Sequence, residues 1–516
     1  MSSGIDMSFV IGRAKPSGDS PAPQEPGQLF RVLVVGDFSG RASRRSDQEA
    51  APTFKPLTID IDSFEQVFQR LAPTVQLDLP QAPGAPMRMA LRSLDEFEPD
   101  AVYARLPLFA QLRDLRARLV NPATFEQAAA DMRASEAASA MAATPPAAAP
   151  AQGEDDSATL QRLLGSAPSA PVSISPGAPP GTVGGVVDRL IRSIVAPHVL
   201  PATSHLQQPM VDALDRAIGD AMRSVLHSPH WAALESNWRA VDQFVRSVEM
   251  DGQVLLELVD ASASDLLDSL IAAGGDAARM PLARSLQARR VHEGQEEGYA
   301  LVVGLFEFGT SVPELALLAG LGSLAAGEGA AFIGSAASAL AMVDAPDAWQ
   351  DSLPAIVDSP AQARWNAMRT SWVAPHVALV WPRVLARMPY GAKTQPVSAF
   401  AFEEIAGPLQ HDQLPWRLAA LDAAALLARA YTDAGWDLQP ESALELEDFP
   451  AFTDRSGESP RLQAVAEMFM SERQAQALAA SGVMPLISHR SLPHARLAGW
   501  RSISAQSPVL EGRWRA

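Results

Sequence analysis

Residues able to do chemistry are sparse and scattered along this chain. Val35-Gly36-Asp37-Phe38-Ser39-Gly40 comes after an apolar run and resembles a strand-to-loop phosphate site in outline. It lacks the G-x-G-x-x-G spacing and the Gly-Lys-Ser/Thr of a P-loop, so it reads as a structural turn. Gly320-Leu321-Gly322-Ser323 and Gly334-Ser335 do not make the G-x-S-x-G nucleophile elbow. His227 and His230 lie three apart with no further ligand at metal-binding spacing, so capping or packing is their reading. His489 and His494 have no carboxylate paired with them close in sequence. Glu296-Glu297 and Glu403-Glu404 are adjacent, and adjacent side chains diverge on a helix or strand. With no cysteine in the chain, thiolate nucleophiles, disulfides and cysteine-based zinc sites are excluded. No catalytic, metal or cofactor site is assigned, and the chain does not read as an enzyme.

The 516 residues allow two to four domains, and an apolar fraction of 47% supports a sizeable core. A net charge of −18 argues against nucleic acid and against anionic membrane surfaces as partners. Lys15, Lys55 and Lys393 are the only lysines, so the positive charge is nearly all arginine, which either suits bidentate ion pairs at interfaces or reflects genome base composition. The first residues do not read as a signal peptide, and the apolar stretch from Leu315 to Val343 is broken by Glu328, so a cytosolic protein without membrane insertion is expected.

The elements that would position anything are α/β in class, with α+β character. Residues 1–27 read as a flexible arm carrying a short strand, Met7 to Ile11, with Phe9 and Val10 inside it. Pro16, Pro21, Pro23 and Pro26 cut this strand off from the rest of the chain, so its backbone must find a partner elsewhere or stay unpaired. Residues 28–133 read as a small α/β unit. Phe30 to Val35 is apolar on both faces, as in a strand covered on both sides. Leu57, Ile59 and Ile61 alternate as a strand, Asp62-Ser63 offers a cap, and Phe64, Val67, Phe68 and Leu71 have helical spacing. A hairpin comes next, Val75 to Leu79 with Met87 to Leu91. Phe109, Leu112, Leu115 and Leu119 form a helical stripe too long for the small unit to cover, so it is expected to pack on the rest of the chain. Residues 134–185 are rich in Ala, Pro, Ser and Gly and read as a linker spanning on the order of 40 Å. Within it, Leu160, Leu163 and Leu164 lie on a short amphipathic segment, either a docking peptide or no stable element.

Residues 186–516 form the large unit. Helices are expected at 186–194 and 210–226, and Trp231, Leu234 and Trp238 begin the best helical stripe in the chain, read as core with Glu235, Arg239, Asp242 and Arg246 off it. Strands are expected at 254–259, 299–308, 330–333, 377–379, 400–402 and 444–446. Helices are expected at 265–273 (capped by Ser264), 315–324, 361–368, 418–432 and 462–469.

Phe30-Arg31-Val32-Leu33-Val34-Val35-Gly36-Asp37-Phe38-Ser39-Gly40-Arg41, with Leu94 to Asp100, resembles the small contractile-sheath subunit of bacterial type VI secretion systems, the TssB/VipA family. Leu226 to Arg239, Tyr299 to Phe308, Arg387-Met388-Pro389-Tyr390-Gly391, Phe400 to Glu404 and Gly482 to Ile487 resemble the large subunit, the TssC/VipB family. Together they make the chain similar to a natural fusion of the two. Leu305 and Arg417-Leu418 depart from the family pattern, and the usual C-terminal extension is expected to be lacking after Ala516. The resemblance implies a non-enzymatic protomer that assembles with itself into a helical sheath, in the cytoplasm of a Gram-negative bacterium. The implied partners are an inner tube protein, baseplate components and, through Leu160, Leu163 and Leu164, a AAA+ recycling unfoldase. Met7 to Ile11 would then be an inter-protomer strand. The rival reading is a non-polymerising sheath-like adaptor or cap that binds sheath or baseplate.

Overall fold

The computed structural model describes residues 28–44, 51–79, 86–131, 207–250, 252–293, 298–341, 359–407, 409–451, 453–454, 461–489 and 492–514. The expected strand at Met7 to Ile11, the linker 134–185 with its segment around Leu160, and the helix at 186–194 lie outside these residues.

In chain order the first part holds β1 (Phe30–Gly36), β2 (Leu57–Ile59), α1 (Phe64–Leu71), the hairpin β3 (Thr74–Leu77) and β4 (Met87–Ala90), then α2 (Pro99–Arg105) and α3 (Pro107–Val120). The second opens with α4 (Gln207–Leu226) and α5 (Pro229–Ser247). It continues through β5 (Val254–Asp260), α6 (Ala263–Ala272), α7 (Pro281–Glu293), β6 (Leu301–Phe308), α8 (Val312–Gly327), β7 (Ala331–Ala336), α9 (Pro360–Arg369) and β8 (Val377–Trp381). The last part holds β9 (Val384–Leu385), β10 (Trp416–Arg417), α10 (Ala420–Ala434), β11 (Glu445–Leu446), β12 (Thr453–Asp454), β13 (Arg461–Leu462), α11 (Glu472–Ser481), β14 (Met484–Ser488) and β15 (Ala495–Leu497).

Nine strands make one mixed sheet in the order β11-β15-β14-β8-β7-β6-β1-β5-β2. β1 is parallel to β5 on one side and to β6 on the other, with Val34 opposite Leu258 and Val303. The first part of the chain therefore has no complete sheet of its own. Apart from the β3–β4 hairpin, its strands are built into the sheet of the second part, because a strand apolar on both faces must be covered on both. Phe30, Val32 and Val34 face a layer made by α1 to α5 and α10, and Leu33 and Val35 face the opposite layer of α6 to α9 and α11.

Helix starts follow local chemistry. Ser262 with Asp265, Ser311 with Glu314 and Ser471 with Gln474 form reciprocal capping boxes, and Pro99, Pro107 and Pro229 sit in first turns. The cap of α6 is thus Ser262 and not Ser264.

Three more expectations differ from the structure. Ile61 lies beyond β2 in a turn and is exposed. Phe400 to Phe402 is irregular, since the Ser398 and Ala399 N–H groups donate to the Asp100 carboxylate instead of to a ladder. Residues 462–469 are not helical: Leu385 N–H donates to Val465 O and Glu467 N–H to Arg383 O, so pairing with the β9 segment holds this stretch extended. The helices α7 and α11 were not expected from the pattern.

Candidate functional site

The seam where residues 28–131 meet residues 207–514 is where polar chemistry concentrates. It begins at the end of β1. The Asp260 carboxylate accepts from Phe38 N–H and Ser39 N–H at 2.9 Å and from Ser39 Oγ at 2.7 Å. Asp37 accepts from the N–H groups of Arg41 and Ala42 at 2.8 Å. The loop's backbone donors are thus spent on two aspartates of the chain itself, which is why Gly36 to Gly40 is a turn and not a phosphate cradle. Burial pushes the Asp37 carboxyl up; the Ala42 N–H bond opposes this and the Asp260 charge adds to it. Gly40 takes φ 77°, and a Cβ there would collide with the Thr74 carbonyl oxygen.

From the other side, α5 reaches this loop. Trp238 Nε1 donates to Phe38 O at 2.8 Å and Asn237 Nδ2 to Asp37 O at 3.0 Å. Trp231, Leu234 and Trp238 are all buried. Trp238 sits among the rings of Phe38, Phe64 and Phe68, and Trp231 meets Phe97 edge-on at 5.2 Å, so these two tryptophans of α5 are packed by phenylalanines of the first part. Phe109, Leu112, Leu115 and Leu119 are buried, and their helix α3 lies against α4. Arg116 forks onto Asp215 there at 2.6 and 2.9 Å, and Gln207 Nε2 donates to the carbonyls that end α3.

Buried ion pairs fix the seam and the segment behind it. Glu257, on β5, accepts from Arg31 of β1 at 2.8 Å, from Tyr299 Oη at 2.9 Å and from Arg289. Burial pushes the Tyr299 hydroxyl pKa well up, and the Glu257 charge adds to it. Arg387 donates Nε to Glu235 at 2.8 Å and both Nη atoms to Glu404 at 2.7 and 3.0 Å, with its guanidinium 4.1 Å from the Tyr390 ring centre. Arg239 also holds Glu235, at 2.7 Å, and His227 Nε2 stands 3.4 Å from Glu404. Arg383 holds Glu467 through its backbone N–H and its guanidinium, with His411 Nε2 3.1 Å away. Burial alone would raise both glutamates; the Arg387 charge brings Glu404 down to about 2, and the His411 contact with the Arg383 charge does the same for Glu467.

These charges are spent largely on one another. The described residues contain no group of three metal-ligating side chains and no helix long and apolar enough to cross a membrane. The arrangement locks chain segments together. The sequence reading missed it because Glu235 and Arg239, off the apolar stripe of α5, look solvated; Glu235 is buried only because Arg387 and Glu404 arrive from far along the chain. Of the residues singled out from the sequence, the Trp231 set and the Phe109 set meet at this seam. Met7, Phe9, Val10 and Ile11, and Leu160, Leu163 and Leu164, lie outside the described residues.

Comparison with known proteins divides the chain along the same seam. Residues 208–504 match the VipB family, described as EvpB, tail sheath N-terminal domain. Residues 24–135 match the type VI secretion system VipA family. A curated relative, the type VI secretion system sheath protein TssC1 of Pseudomonas aeruginosa, is 29% identical over 336 residues, covering 61% of this chain and 66% of that protein.

Proposed function

Because the chain belongs to the VipB tail-sheath family, with a VipA match in the same polypeptide, we propose that it is a fused protomer of a type VI contractile sheath. Its role is structural: copies stack around an inner tube, and a change in their packing drives the tube forward. The observation that carries this reading is β1. A strand of the VipA-like segment is paired on both sides by strands of the VipB-like segment, which supports one folded building block made from two family parts. The linker 134–185 would join these parts. Met7 to Ile11 would reach a neighbouring copy and add to its sheet, where backbone pairing gives strength and the Pro-rich connector permits rotation. Leu160, Leu163 and Leu164 would anchor a docking helix for a AAA+ unfoldase, and a baseplate would nucleate the assembly in the cytoplasm.

Electron microscopy of the purified full-length protein tests the proposal. Long hollow filaments are the expected result. Discrete particles under every assembly condition would overturn it in favour of an adaptor or cap. Deleting residues 1–12 should leave the circular dichroism spectrum unchanged and abolish long filaments.

A further inference from the structure

Arg369 and Arg501 differ from the arginines of the buried pairs. Arg31, Arg239, Arg383, Arg387 and Arg417 each hold a carboxylate. Arg369, at the end of α9, instead donates to backbone carbonyls, Nε to Ile503 O at 3.0 Å and Nη2 to Ala480 O at 2.9 Å. Arg501, in the loop after β15, has a buried Nε with no hydrogen-bond partner among the described residues. The loop that carries Arg501 also holds the end of α9, since Ala505 N–H donates to Arg369 O at 3.0 Å, and the Arg501 charge acts on the Arg369 guanidinium. It is also stiff: Ser502 N–H donates to Pro508 O at 2.7 Å, Ser502 Oγ to Ser507 O at 2.8 Å, and Ser504 Oγ accepts from Gln506 and Ser507 N–H. Burial lowers both guanidinium pKa values, and the Arg501 charge lowers that of Arg369 further. A half-buried pair of cations without a counter-charge among the described residues is costly on its own and fits a carboxylate supplied from outside.

The matching carboxylates are at the other end of the same strands. β14 begins beside Arg369 and Arg501, since Ala498 N–H bonds Pro485 O and Arg369 bonds the end of α11. β11 runs in the same direction as β14, both being antiparallel to β15. Glu447 and Asp448 come after β11, at the far end, and both are exposed without a side-chain partner among the described residues. Asp448 is held at φ 63°, a left-handed conformation that aspartate tolerates better than most non-glycine residues.

We propose that Arg369 and Arg501 of one copy receive the carboxylates of Glu447 and Asp448 of the next copy, in a head-to-tail contact. This rests on the sheath reading. A heterologous contact that does not close on itself produces an open helical filament, and these charge pairs at each junction fix its register. The net charge of −18 makes such pairing valuable, since copies otherwise repel.

The test uses full-length protein in sedimentation and electron microscopy. Arg501→Glu alone and Asp448→Arg alone should each abolish long assemblies, and the two together should restore them. Asp448 is exposed, so Asp448→Arg keeps the test sound should Arg501→Glu misfold; melting temperature reports on that. Normal filaments from Asp448→Arg, or no recovery in a folded double variant, would overturn the contact while leaving the sheath reading standing. Inorganic phosphate that raises the melting temperature of wild type but not of Arg501→Glu, with assembly unchanged in that variant, would mark a free-anion site and also overturn it. A wild-type protein that never assembles overturns both.

Discussion

At the scale of single residues, the buried glutamates decide how the protein meets acid. Glu404 and Glu467 are held down to about 2 in the folded state, against an ordinary value of 4.5. The unfolded chain takes up their protons first as pH falls, so their contribution is complete above about 4.5 and fades on the way to about 2. For Glu404 this is on the order of 3 kcal/mol. Glu404→Gln should therefore be less stable than wild type at pH 7, with the gap closing towards pH 2 in urea unfolding curves. A gap that stays constant with pH would refute the assignment. Trp238 gives a second case. Trp238→Ala should cost about 3–5 kcal/mol, because the indole fills the space between Phe38, Phe64 and Phe68. Trp238→Phe should cost less, about 1–3 kcal/mol, for the lost bond to Phe38 O and the smaller ring. An unchanged melting temperature in Trp238→Ala would contradict this. The tryptophans were legible in the sequence because helical spacing reports burial. Glu235 was not, since a charged residue beside an apolar stripe looks the same whether water or a distant arginine covers it.

At the scale of elements, β1 is the member on which the sheet depends. Its apolar run announced a strand covered on both faces, and α5 was equally plain from its helical spacing. The partners of β1 were not legible, because Val34 pairs with Leu258 and Val303, and alternation within a strand carries no address for a neighbour so far along the chain. Residues 462–469 show the converse: their apolar spacing suits a helix, and long-range pairing with the β9 segment overrides it. Hydrogen exchange should follow position in the sheet. Amides of β1, bonded on both sides, should exchange only by global unfolding, while those of the edge strands β2 and β11 should exchange orders of magnitude faster. Equal protection in β1 and β2 would show that the sheet does not open from its edges.

At the scale of the whole molecule, the two family parts share one sheet and one seam. Residues 28–131 and 207–514 expressed as separate polypeptides should co-purify when made together, and each should be insoluble alone. Two soluble pieces that ignore each other would refute the shared core. The same interleaving sets a timetable for synthesis. β1 leaves the ribosome early, but the strand on its far side, β6, begins more than two hundred and sixty residues later. At ordinary translation speeds that is a wait on the order of tens of seconds with a strand apolar on both faces uncovered. A two-gene arrangement would have to bring that sticky strand to its slot by diffusion from another ribosome. Carrying both parts on one polypeptide replaces the search with a tethered one at a high effective concentration, and it guarantees that every exposed strand is followed by its own receiving sheet.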